Sequence, residues 1–182
     1  MPTAGRYVRV NIEYAPLGDA RFLRVNLQGQ QYYPISRSFT YGLNAEIGYG
    51  KGLGGLPYPI FKNFYGGGLG TVRGFEQGSL GPIDVTGAFI GGNRRLNINN
   101  ELYLPVPGAN ADRTLRIFLY LDVGNVWGAD QPVTFDSLRA AAGVGVSWIS
   151  PVGPLKLSYG TPIHKQQGDR IQRLQFQIGT AF

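Results

Sequence analysis

The sequence has 182 residues with 28 Gly, 12 Pro, no Cys, a single His and a formal net charge of +6, a length that suits one domain or a piece of a larger one. Without cysteine there is no disulfide scaffold, thiolate metal site or cysteine nucleophile, and the lone His164 argues against a histidine metal cluster or a catalytic triad. The longest aliphatic-aromatic run, 117–121, falls far short of the ~20 apolar residues of a membrane helix, but a membrane β-barrel stays open because its strands place apolar residues at every second position.

Met1-Pro2-Thr3-Ala4-Gly5 runs into Arg6-Tyr7-Val8 with no basic start and apolar stretch, so no signal peptide is visible. Either the chain is not exported, or it is a piece of a longer precursor. Period-two alternation then dominates. Val8, Val10, Ile12 and Tyr14 alternate with Arg9, Asn11 and Glu13; after the turn residues 16–19, Leu23, Val25 and Leu27 alternate with Arg24, Asn26 and Gln28. Phe39, Tyr41, Leu43, Ala45, Ile47 and Tyr49 continue the pattern in a third segment. From 50 to 88 the alternation gives way to Gly, Pro and aromatic residues, which predicts a long functional or disordered loop. Five further strands follow, around 96–104, 115–123, 138–148, 155–159 and 174–182.

The expected fold is therefore all-β, an antiparallel transmembrane barrel of eight hairpin-connected strands with one long loop. A soluble antiparallel sandwich would give the same alternation. The membrane reading is favoured by a polar face running through every strand and by aromatics near strand ends, among them Tyr14, Phe39, Tyr49, Trp127, Trp148 and Phe182, placed like interfacial girdles. Periplasmic turns of barrels are short and outer loops long. With a periplasmic C-terminus, counting strands back makes 150–154 an inner turn and puts 50–88 outside the cell.

Four features bear on function. Val72-Arg73-Gly74-Phe75 follows the glycine-rich 66–70, but the spacing matches no phosphate loop and no strand-helix context follows. The glycines would instead let the backbone fold tightly and project one Arg and one Phe. Glu101 and Asp122, on the inward faces of their strands, are either solvated lumen acids or partners for Arg73, whose guanidinium pairs bidentately with carboxylates. The ending, with Phe176, Ile178, Gly179 and Phe182, is a last strand with an aromatic anchor or an assembly signal read through strand addition. The charged residues form no contiguous basic stripe, so the positive charge points to lumen lining and anionic lipid headgroups rather than nucleic acid.

At these residues the sequence resembles the BamA family, the central components of the bacterial outer-membrane barrel assembly machine. The likeness rests on VRGF at 72–75, FLYLDVGNVW at 118–127, SWISPVGPLKLSY at 147–159 and the terminal LQFQIGTAF. The first two motifs are shared with a wider superfamily that includes TamA and two-partner secretion transporters. The resemblance implies an assembly factor of the Gram-negative outer membrane that folds and inserts barrel proteins without catalytic residues, cofactor or metal. A TamA-type or two-partner-secretion translocation barrel is the alternative. It also implies that Arg73 pairs with Glu101 and Asp122 beside Phe75, that Gly74 allows a sharp backbone there, and that the last strand lies at a weak seam, with Gly179 inside it. Implied partners are outer-membrane lipid, nascent outer-membrane proteins and assembly lipoproteins.

The family builds sixteen strands behind periplasmic POTRA domains, whereas this chain shows eight strands and no POTRA domain, as in the truncated second half of a barrel. An eight-strand barrel is only wide enough for its own side chains. If these strands close on themselves, Arg73 should lie outside, away from Asp122. Self-association of two copies, edge to edge, is the other expected outcome, because open edges leave backbone groups unpaired in a membrane.

Overall fold

Alternation of this length dictates strands, and strands are what form. A computed structural model describes residues 4–106, 114–151 and 153–179. The main strands are β1 (Gly5–Ala15), β2 (Phe22–Pro34), β3 (Thr40–Gly52), β5 (Arg94–Pro105), β6 (Leu115–Trp127), β7 (Arg139–Ser150), β8 (Gly153–His164) and β10 (Leu174–Ile178). They lie in chain order in one sheet, every neighbouring pair antiparallel. The eight expected strands are all present. Two short strands have no counterpart in the alternation: β4 (Gly74–Phe75) and β9 (Ile171–Gln172), which pair with each other. Two residues are too few to show a period.

The two faces of the sheet differ in chemistry. On one, Val8, Val10, Ile12, Leu119, Leu121, Phe176 and Ile178 are all exposed, as the wall of a barrel in lipid requires. Asn100, a polar residue on this face, is satisfied: its Oδ1 accepts from the Tyr41 hydroxyl at 2.6 Å and its Nδ2 donates to the Leu121 carbonyl at 3.2 Å. The core lies on the other, inner face, where residues 53–93 fold back over the sheet. Phe64, Val72, Phe75 and Leu80 from this loop are buried together with Phe118, Tyr120 and Ala141 from the strands.

Three expectations are corrected. The sheet does not close: β1 and β10 are its two edges, with no ladder between them among the described residues. The space a small barrel would need for its own side chains is taken by the loop, with Phe64 against Gly48 of β3 and Arg73 against β5 and β6. Gly179 does not lie inside the last strand. It follows Ile178 at φ +90°, its N–H donating to the Pro154 carbonyl at 2.8 Å. Trp127 is no girdle residue, for the return of the loops buries it and its Nε1 donates to the Ser137 hydroxyl at 2.7 Å. Tyr14, Phe39, Tyr49 and Trp148 are exposed. Phe182 lies outside the described residues.

Candidate functional site

The loop motif is presented by a tight hairpin. Gly68 N–H donates to the Val72 carbonyl at 3.0 Å and Leu80 N–H to the Gly66 carbonyl at 2.9 Å, so the chain turns back before and after the motif. Gly74 then sits at φ +87°, and a Cβ there would stand 3.3 Å from that of Ala141 in β7. Both the left-handed backbone and the close approach to the sheet call for glycine. With this bend, Val72, Arg73 and Phe75 are all buried against the inner face.

Arg73 meets two strands. Its Nε donates to Asp122 Oδ2 and its Nη2 to Asp122 Oδ1, both at 2.7 Å, and its backbone N–H donates to Oδ2 at 3.0 Å. Its Nη1 donates to Glu101 Oε1. This is the planar fork-to-carboxylate geometry a lysine could not reproduce. Asp122 on β6 is wholly buried. Beneath the guanidinium lies an aromatic shelf, with its carbon 3.8 Å from the Tyr120 ring centroid and 5.5 Å from that of Phe118. Tyr120 can lie flat because Gly143 of β7 has no side chain; a Cβ there would fall 2.6 Å from the ring and 2.3 Å from the Tyr159 carbonyl oxygen.

The same region holds residues that sequence reasoning missed. Lys156 Nζ on β8 donates to both oxygens of Glu101, at 2.8 and 3.0 Å, and lies 4.8 Å from the Phe118 ring centroid. Tyr103 donates its hydroxyl to Glu101 Oε2, and Asn99 Nδ2 donates to the Thr71 carbonyl. Two acids thus face two bases, and the cluster is neutral overall. The signal for Lys156 was its inward parity, since it alternates with Leu155 and Leu157. Beside it opens a cavity of about 330 Å³ lined also by Tyr32, Asn44 and Gln177.

A second attachment lies at the loop root. Lys62 and Arg24 both donate to Glu13, and the Tyr58 hydroxyl donates to the Lys62 carbonyl at 2.9 Å. Burial raises the Tyr58 hydroxyl pKa above its ordinary value. Farther out, Asp84 closes an Asx turn, accepting from Thr86 Oγ1 at 2.7 Å and from the N–H groups of Thr86 and Ala88. The Thr86 hydroxyl, then these backbone donors, hold its carboxyl below the usual Asp value.

His164 Nδ1 is 2.6 Å from the Leu138 carbonyl, and no group of three or more His, Asp or Glu that could hold a metal occurs among the described residues. Among the described residues no helix is long and apolar enough to cross a membrane, which says nothing of a β-barrel.

Comparison with known proteins agrees with this geometry. The Omp85 superfamily domain matches residues 1–182. The outer membrane protein assembly factor BamA of Neisseria meningitidis serogroup B is 40% identical over 211 residues, covering 100% of this chain and 26% of that protein. A SAM50-like protein of Schizosaccharomyces pombe is 29% identical, covering 100% of this chain and 41% of its own length. Among solved structures, BamA from Haemophilus ducreyi lacking POTRA domains 1–3 superposes with a TM-score of 0.86 at 29% identity, over 96% of this chain and 38% of that one. CdiB from Acinetobacter baumannii shares the fold, with a TM-score of 0.64 at 16% identity over 97% of this chain and 29% of that one. The chain thus spans roughly a quarter to two fifths of the length of these relatives.

Proposed function

Since the chain belongs to the Omp85 superfamily, we propose that it supplies the C-terminal eight strands of an outer-membrane barrel that folds and inserts other barrel proteins. In this reading the long loop lies outside the cell, the C-terminus faces the periplasm, and nascent outer-membrane proteins and assembly lipoproteins are partners of the whole protein. The work done is strand pairing in lipid rather than bond chemistry. Open sheet edges present backbone N–H and C=O groups that an incoming strand can pair with.

The observation that carries the reading is the clasp of Arg73 on Asp122 and Glu101 in a sheet whose edges stay open. Val72, Arg73, Gly74 and Phe75 attach the loop to the inner wall, and Glu101 and Asp122 receive it. Phe176 and Ile178 belong to the strand at the edge where pairing would be exchanged, with Gly179 directly after it. Translocation of a secreted polypeptide draws less support, because the likeness to CdiB is one of fold alone.

Reconstitution in liposomes with an unfolded reporter barrel tests this, insertion being followed by the heat-dependent gel shift of the reporter. The whole protein should accelerate insertion, and Arg73→Ala should slow it. Unaltered insertion by a variant whose loop has become accessible to protease would refute the role of the clasp. Release of a partner exoprotein without any barrel insertion would favour the secretion reading.

A further inference from the structure

The last strand is the least supported in the sheet. Among the described residues β10 pairs five residues with β8, whereas the other ladders of the sheet pair ten to thirteen. Its other side has no partner among the described residues. Yet Gln175, the second residue of this strand, is only 4% exposed. Its Nε2 donates to the Phe75 carbonyl at 2.6 Å, and its Oε1 makes no hydrogen bond among the described residues. A buried primary amide with a single bond recovers only part of its desolvation cost, and all of that recovery comes from the contact with Phe75.

The same stretch of loop holds the approach to β10. Gly74 pairs with Gln172 and Phe75 with Ile171, and Glu76 N–H donates to the Arg170 carbonyl at 3.0 Å. A short path therefore runs from Asp122 across its ion pair to Arg73, along the backbone through Gly74 to the Phe75 carbonyl, and from there across a hydrogen bond to the Gln175 amide in the terminal strand. Each link is buried, so the path excludes water along its length.

We propose that Gln175 is a positioning residue through which the loop motif holds the C-terminal strand on the sheet, so that release of Arg73 from Asp122 loosens β10 as well as the loop. The inference rests on geometry and holds whether or not the protein assembles other barrels.

Hydrogen exchange of the membrane-reconstituted protein tests it, with peptides covering 174–178 compared against those of β2. Gln175→Met keeps the length and bulk of the side chain and removes the donor. It should speed β10 exchange roughly tenfold, the equivalent of about 1.4 kcal/mol for one lost hydrogen bond, and leave β2 unchanged. Exchange in β10 that matches the unsubstituted protein would overturn the proposal, since simple packing survives this change. Arg73→Ala should speed β10 exchange by a similar factor, and should add little once Gln175→Met is present. If Arg73→Ala leaves β10 untouched, or acts equally with and without Gln175→Met, the path does not run through Gln175. The Arg73→Ala measurement decides alone should the Gln175 variant fail to fold.

Discussion

The long loop is tied to the sheet at its root and at its tip, and the two ties differ in how much water reaches them. At the root, Lys62 and Arg24 share Glu13, with side-chain exposures of 32, 24 and 29%. At the tip, Arg73 is 5% exposed, Asp122 0% and Glu101 13%. Both are ion-pair clusters between loop and strands, but charge in contact with water interacts weakly and is screened, whereas charge sealed between a loop and a sheet is costly to leave alone. The root can therefore be rebuilt by solvent when one partner is lost. The tip cannot, and its geometry sets where the loop lies.

Asp122→Ala should break this contrast most severely. It strands the Arg73 guanidinium on the aromatic shelf and should cost about 3–5 kcal/mol, read as a fall in the urea midpoint of the heat-dependent gel shift. Trypsin should then cut after Arg73 in the folded protein, and persistent protection would mean that the shelf alone holds the tip. Arg73→Lys keeps the charge but can no longer span Asp122 and Glu101 together, for a loss of about 2 kcal/mol. A lysine variant as stable as the original would make the bidentate geometry irrelevant. Lys62→Ala should cost only about 0.5 kcal/mol and less at high salt; a loss as large as that of Asp122→Ala would erase the distinction between root and tip.

The smallest effect belongs to the exposed Asp84 turn. Its carboxyl is lowered in the folded chain, so its contribution is fully present above the ordinary Asp value of about 3.9 and is lost as pH falls through the lowered folded value. Amide exchange at Ala88 should accelerate over that acidic window and stay flat near neutrality. Asp84→Asn should remove the pH dependence.

The inner-face carboxylates could be picked out because parity along a strand is a local property. Asp122 alternates with Leu121 and Val123, and Glu101 has the parity opposite to Leu96, Ile98, Leu102 and Leu104, so their direction is written in their neighbours. The same parity marks Lys156 and Gln175 as inward, yet nothing local says what each will meet. Gln175 finds the Phe75 carbonyl one hundred positions earlier in the chain. Trp127 read as an interfacial aromatic because its place at a strand end is visible in the sequence, while the segments that bury it are not.

By itself, then, the sequence determined the eight strands, their order and which side chains face which way. These follow from period-two alternation and short turns, and each depends on a handful of adjacent residues. Tertiary structure was needed to show that the sheet is open among the described residues, that β4 and β9 pair, and that Arg73 shares Glu101, but not Asp122, with Lys156. Those outcomes depend on which space a glycine-rich loop occupies. That is settled by burying Phe64, Val72 and Phe75 and pairing one guanidinium out of water, and no local pattern encodes such a balance.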